Sequence, residues 1–357
     1  MGHSSRTIHW CVGLLVVLVA VVVVSAGLGS VRIHPLDVAK SGLNGIVLPV
    51  GATVDSPWST PSVAYRPLFS FDVEPTHETI VTHVRLPRIL LAATVGCALA
   101  VAGTVMQGFF RNPLADPSII GVSAGAAAGA VAVIAFPALV PFATVHSAAF
   151  AGALVTAFGV YAIATKGGRT PVATLLLVGI AVQTFLGAVI SYMVVHSGEN
   201  LRQAVLWMMG HLHNATWNDV AFALPFTLVG ATVLWAYADE LNVLLHGEEE
   251  AHYLGVAVER TKLVLLALAS VVTAAGVAVA GVIGFVGLVV PHIMRLLVGP
   301  DHRILLPTSA IAGAAFLVVT DTIARLGPVE VPVGIVTAAV GAPFFLFLLT
   351  RREVHAL

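Results

Sequence analysis

PSIIGVSAGAAAGAVAVIAFPALVPFATVHSAAFAGALVTAFGVYAIAT, Pro117 to Thr165, contains no Asp, Glu, Lys or Arg. A water-soluble chain of this length has no core large enough to hide it. Similar charge-free runs cover Trp10–Val31, Ile89–Phe110, Thr170–Gly198, Val220–Ala238, Leu263–Met294, Ile304–Thr320 and Val331–Thr350. Each is near or above the roughly 20 residues that cross a bilayer as helix. Hydrophobic residues make up 58% of the chain and charged residues 10%, with a formal charge of −1 and a mean hydropathy of +0.97. That balance excludes a nucleic-acid partner. The solvent for most of the chain is lipid.

Pro137 and Pro141 divide the quoted run into two spans, and Leu263–Met294 is also too long for one. The pattern predicts an all-α polytopic membrane protein of ten helices, over residues 11–31, 88–109, 118–136, 147–166, 173–195, 219–238, 262–282, 284–298, 306–325 and 332–350. The eighth is short and either spans incompletely or breaks near Pro291. Residues 1–30 imitate a secretory signal, with Arg6 before an apolar core, but the spans that follow favour a retained first helix. Cys11 and Cys97 lie in apolar runs, where they pack as small hydrophobes and supply neither disulfide nor metal site.

An even count puts both termini on one side. Arg6, Arg111, Lys166, Arg169, Arg260, Lys262, Arg303, Arg351 and Arg352 fall on that side, against Arg32, Lys40, Arg66, Arg85, Arg88, Arg202 and Arg325 on the other. Several of the latter lie in a long segment that counts little, so the termini are expected to be cytoplasmic, in a bacterial inner membrane. Residues 32–84, rich in Pro, Ser, Thr and Asp, read as an extracytoplasmic insert, either a plain cap or a docking element. Leu99–Gly103 is echoed by Val277–Gly281 at an offset of 178, then Pro113 by Pro291 and Gly121 by Gly299. If that is a repeat, its unit is five helices and the two halves are inverted.

Arg111-Asn-Pro-Leu-Ala-Asp-Pro117, followed by Gly121-Val-Ser123-Ala-Gly125, ends one helix and starts another in a rigid turn. It suits a cytoplasmic hinge or a plain connection. With Arg85-Leu-Pro-Arg88, Leu201-Arg-Gln203, Trp207-Met-Met-Gly210, Gly284-Phe-Val-Gly-Leu-Val-Val-Pro-His292, Asp301-His-Arg303, Pro332-Val-Gly-Ile-Val-Thr337 and Gly341-Ala-Pro343, the turn resembles the FecCD-type permeases. These are membrane subunits of ATP-binding-cassette importers for heme, ferric siderophores and cobalamin. The resemblance spans roughly residues 85–350, and the insert before Arg85 is longer than is usual there.

The resemblance implies a single permease domain over residues 1–357 that pairs with its own copy around a twofold pathway. It also implies two ATPase subunits, which bind ATP and Mg, and a periplasmic binding protein. The sequence agrees that this chain is not the motor: none of Lys40, Lys166 or Lys262 follows a glycine, so there is no P-loop. No catalytic pair and no metal cluster is legible. Residues 239–260 form the longest cytoplasmic connection, where Gly247 and Gly255 bracket about two helical turns. By resemblance, Gly247, Glu248, Glu249, Ala251, Leu254 and Gly255 couple to the ATPase; the plain alternative is a solvated acidic loop. Arg85 and Arg88, on one helical face, and Arg325 are similar to arginines that dock the binding protein, although interfacial arginines also snorkel to water. Leu114, Pro171 and Val172 match a cytoplasmic gate, or simple packing.

The substrate pathway is expected to involve Ser123, Arg202, Trp207, Met208, Met209 and His211. His211-x-His213 beside Met208 and Met209 suits transient contact with a metal complex, and two copies of Arg202 suit heme propionates. Surface imidazoles are the plain alternative. Heme ranks first as cargo, then ferric siderophore, then cobalamin. A competing class is the ion-driven carrier, for which Asp321 is the sole carboxylate well inside a predicted span.

Overall fold

The computed structural model describes residues 3–29, 31–53 and 62–350; Arg351 and Arg352, counted above for orientation, lie outside them. Helices α1 (His3–Gly27), α2 (Pro35–Asn44) and α3 (Pro75–Thr79) precede α4 (Leu86–Phe109), α5 (Val122–Ala135), α6 (Val145–Ala164) and α7 (Val172–Val195). Then come α8 (Leu201–Met208), α9 (Trp217–Ala236), α10 (Ala238–Leu244), α11 (Glu248–Tyr253), α12 (Val258–Ala280), α13 (Val286–Val298), α14 (His302–Arg325) and α15 (Val333–Thr350). Seven rods among the described residues are long and apolar enough to span a bilayer, and α5, α13 and α15 are shorter apolar helices. They coincide with the ten predicted spans. The protein is an all-α, multi-pass membrane protein.

Small residues decide how the helices pack. Lipid tails are as apolar as leucine, so helices gain by bringing backbones close together rather than by leaving lipid. A Cβ on Gly103 would run into the Gly287 backbone of α13, and one on Gly96 into the Gly313 backbone of α14. Gly125 and Gly129 of α5 meet Gly152 and Ala148 of α6 in the same way. Helix α4 is therefore the central post, packed against α9, α12, α13 and α14. In contrast, α1, α6, α7 and α9 leave most of their apolar surface uncovered.

Three features differ from the sequence reading. Pro291 does not break the eighth helix but sits inside α13, and the interruption of this run is the predicted one between α12 and α13, at Gly281 (φ 71°) to Phe285 (φ 70°). Non-helical backbone survives at this depth because it is buried in protein: the Gly281 position abuts the Trp207 carbonyl, and His211 N–H donates to Ala280 O at 2.7 Å. The 178-residue echo carries the start of α5 at Gly121 onto Gly299, just before α14, so it is not the register of a five-helix repeat. The insert is folded rather than a simple cap: α2, capped by His34, leads into an antiparallel pair, β1 (Val47–Thr53) and β2 (Ser62–Pro67). Asn44 fastens it by bonding to both the N–H and the C=O of Phe71, at 2.8 and 3.0 Å.

Candidate functional site

The chemistry-bearing residues gather at the two ends of the bundle. At one end, Asp321 of α14 is 1% exposed and sits between two guanidiniums: Arg88 at 3.0 Å and Arg325, one helical turn on, at 3.1 Å. Arg88 also reaches Glu330 at 3.0 Å, and Arg325 donates to Ser25 Oγ of α1 at 2.7 Å. The network staples α1, α4 and α14 together. Arg85 is only 5% exposed and donates to the carbonyls of Ala26 and Val31. It closes a π turn over residues 80–85 and lies, like Arg88, beside Arg325. All three arginines are paired within the chain and only slightly exposed.

At the same end, a cavity of about 750 Å3 opens between α8, the loop after it and the start of α9. Its walls carry Arg202, His211, His213 and His146, with Glu199 and Asp219, and the side-chain amides of Asn200, Gln203, Asn214 and Asn218. The loop is held from beneath by Trp207, which is buried, and by Gly334, where a Cβ would strike the Met209 carbonyl. The rings of His211 and His213 lie with centres 4.5 Å apart, tilted 37° to one another. Burial first, then the neighbouring His213, His146 and Arg88, pull His211 down to about 4, so its imidazole is neutral at physiological pH. Met208 and Met209 are exposed but are not part of the cavity wall. Ser123, in the first turn of α5, is not part of it either.

The other end carries α10, α11 and the turns before α5 and α7. Gly247 (φ 131°) and Gly255 (φ 87°) bound α11 as the sequence suggested, with Ala251 buried beneath it and Leu254 71% exposed. Sequence reasoning missed α10, which locks to the start of α14 through Asn242: its side chain bonds Asp301 at 2.7 Å and His302 N–H at 2.9 Å. It also missed a cluster around Lys262. That ammonium is buried and donates to Thr170 O at 2.6 Å, Glu248 Oε1 at 3.0 Å and Glu259 Oε1 at 3.1 Å. Glu259 three residues before Lys262, at the start of an apolar helix, was the available signal.

Leu114 is partly buried, its N–H donating to Asn112 Oδ1 at 2.9 Å in the turn after α4. Arg111 holds φ 48° there, and Asp116, a carboxyl raised by burial, caps the following turn through Ser118 N–H. Pro171 is exposed as the N-cap of α7, and Val172 is its first helical residue. Among the described residues no group of three or more His, Cys, Asp or Glu is placed to hold a metal.

A lipid-embedded bundle with a hydrophilic mouth at one end and a glycine-bounded surface helix at the other defines a membrane permease. The profile of the FecCD transport family matches residues 14–351, and the chain belongs to that family as an ABC-importer permease. It is 57% identical over 366 residues to the cobalamin import system permease protein of Halobacterium salinarum, covering 99% of each chain. The hemin transport system permease protein of Yersinia pestis is 43% identical over 299 residues, covering 82% of this chain and 89% of that one. A solved ABC transporter described as metal-chelate type, in an inward-facing conformation, superposes with a TM-score of 0.78 at 31% identity, covering 96% and 98%.

Proposed function

We propose that two copies of this chain form the conduit of a cobalamin importer in the cytoplasmic membrane, with both termini inside. Two ATPase subunits seat on α10 and α11 and bind the ATP and Mg, and a soluble binding protein delivers cargo to the opposite mouth. The chain itself carries out no hydrolysis. Whole-length likeness to a cobalamin permease, insert included, supports this cargo.

The chemistry of the mouth points the same way. A corrin ring is fringed with amide side chains, and the cavity offers Asn200, Gln203, Asn214 and Asn218, groups that both donate and accept. Arg202, the reason for ranking heme first on sequence, shares the cavity with Glu199, which offsets its charge. Heme is the second reading, favoured by the neutral His211 beside His213 as passing contacts for iron.

The test is reconstitution in liposomes with the ATPase and a binding protein, supplying cyanocobalamin, hemin or a ferric siderophore. Cyanocobalamin should accumulate at the expense of ATP. Arg202→Ala should leave that uptake within about twofold, since an exposed charge contributes little. Uptake of hemin alone, abolished by the same substitution, would replace the cobalamin reading with the heme one. Uptake that persists without ATP would favour an ion-driven carrier.

A further inference from the structure

We infer that Lys262 is a positioning residue that transmits movement of α11 to the foot of α7, where Pro171 and Val172 begin the helix. The inference rests on the transport reading above and adds to it a specific mechanical link. An ammonium has three N–H donors. Here they are used by three different elements: Thr170 O in the turn between α6 and α7, Glu248 in the first turn of α11, and Glu259 in the first turn of α12. A charge withdrawn from water is tolerated only when its donors are filled, so none of the three elements can shift alone without exposing that cost.

Thr170 is gripped twice. Its C=O accepts from Lys262, and its N–H donates to Glu259 Oε2 at 3.1 Å. Its hydroxyl lies 2.8 Å from that of Thr165, and Lys166 pairs with Arg169 across the turn, which makes residues 165–170 a closed staple. Pro171 follows at once, with φ −64°, and passes any displacement straight into α7. Helix α7 is suited to respond: Leu177, Ile180 and Phe185 face outward, and much of its surface is unpacked within the chain. At the far end of the linkage, Tyr253 and Leu254 project from α11 while Ala251 anchors it.

The test uses the full transporter in liposomes with cyanocobalamin as probe, reading cargo moved per ATP hydrolysed. Lys262→Met removes the hub at similar size, Lys262→Arg keeps its charge, and Glu248→Ala cuts only the arm to α11, leaving Thr170 and Glu259 in place. Lys262→Met should lower the ratio about tenfold while hydrolysis continues, with Lys262→Arg restoring part of it, as when a buried charge loses its place. Glu248→Ala, which removes a carboxylate that is 42% exposed, should lower it only a few-fold. Amide exchange across residues 165–172 should rise about tenfold in Lys262→Met and a few-fold in Glu248→Ala, as local opening becomes easier. Ratios and exchange both unchanged in Glu248→Ala and Lys262→Met would overturn the link. Exchange is read on the chain whatever its cargo, so a wild type that moves no cobalamin sinks the transport reading alone.

Discussion

Asp321 shows how a buried carboxylate can be structural in a membrane protein. A lone charge there would mark an ion-coupling site, but this one is flanked by Arg88 and Arg325 and tied through Arg325 to Ser25. Asp321→Asn leaves two sheltered guanidiniums facing each other, and should cost about 3 kcal/mol of stability, seen as a lowered melting midpoint in detergent. The Asp321–Arg325 half of this network is legible as an i, i+4 pair; Arg88, more than 200 residues away, is not, because nothing in a sequence says which helix crosses which. His211 carries the opposite burden. The unfolded chain takes up this proton near pH 6.5 and the folded one only near 4, so stability is lost as pH falls between those values, by up to about 3 kcal/mol. His211→Gln should flatten that part of the melting-versus-pH curve, and an unchanged slope would show the imidazole to be better solvated than its surroundings suggest.

At the scale of elements, the ten apolar rods were legible because each crossing must satisfy its own backbone in lipid, which forces long charge-free runs. The interruption between α12 and α13 was legible in place, because the run is too long for one crossing, but not in form: positive-φ backbone at Gly281 and Phe285 is tolerated only through burial against Trp207 and α15. Nor were α2, α8 and α10, whose short amphipathic sequences resemble polar loops. The close crossings of α4 depend on glycine at two positions seven residues apart, so that both fall on one face. Gly103→Val would drive a branched side chain into the backbone of α13, which cannot yield as a flexible side chain would. A loss of at least about 2 kcal/mol is expected, with poor recovery of folded protein from detergent. Gly159→Val, where a Cβ meets nothing within 4 Å, should be tolerated and serves as the control.

For the whole molecule, the two ends are chemically unlike. Arg169, Arg260 and Lys262 cluster around α11, and Arg303 pairs with Asp239 at 2.8 Å on the same end, while the opposite end holds the histidine and amide cavity and the folded insert. Positive charge is retained on the cytoplasmic side during insertion, so α11 should face inward and the cavity outward. Two exposed residues report on this directly: Leu254 beside α11, and Phe142, 89% exposed in the loop between α5 and α6 that leads to His146 of the cavity. In a chain carrying Cys11→Ser and Cys97→Ala, Phe142→Cys should react with a membrane-impermeant maleimide on intact cells, and Leu254→Cys only after permeabilisation. The reversed pattern would put α11 outside, away from cytoplasmic ATP, and overturn the proposed seat of the ATPase subunits. A mixed pattern would mean that the chain inserts in two orientations, against the excess of Lys and Arg in the short loops on the α11 side.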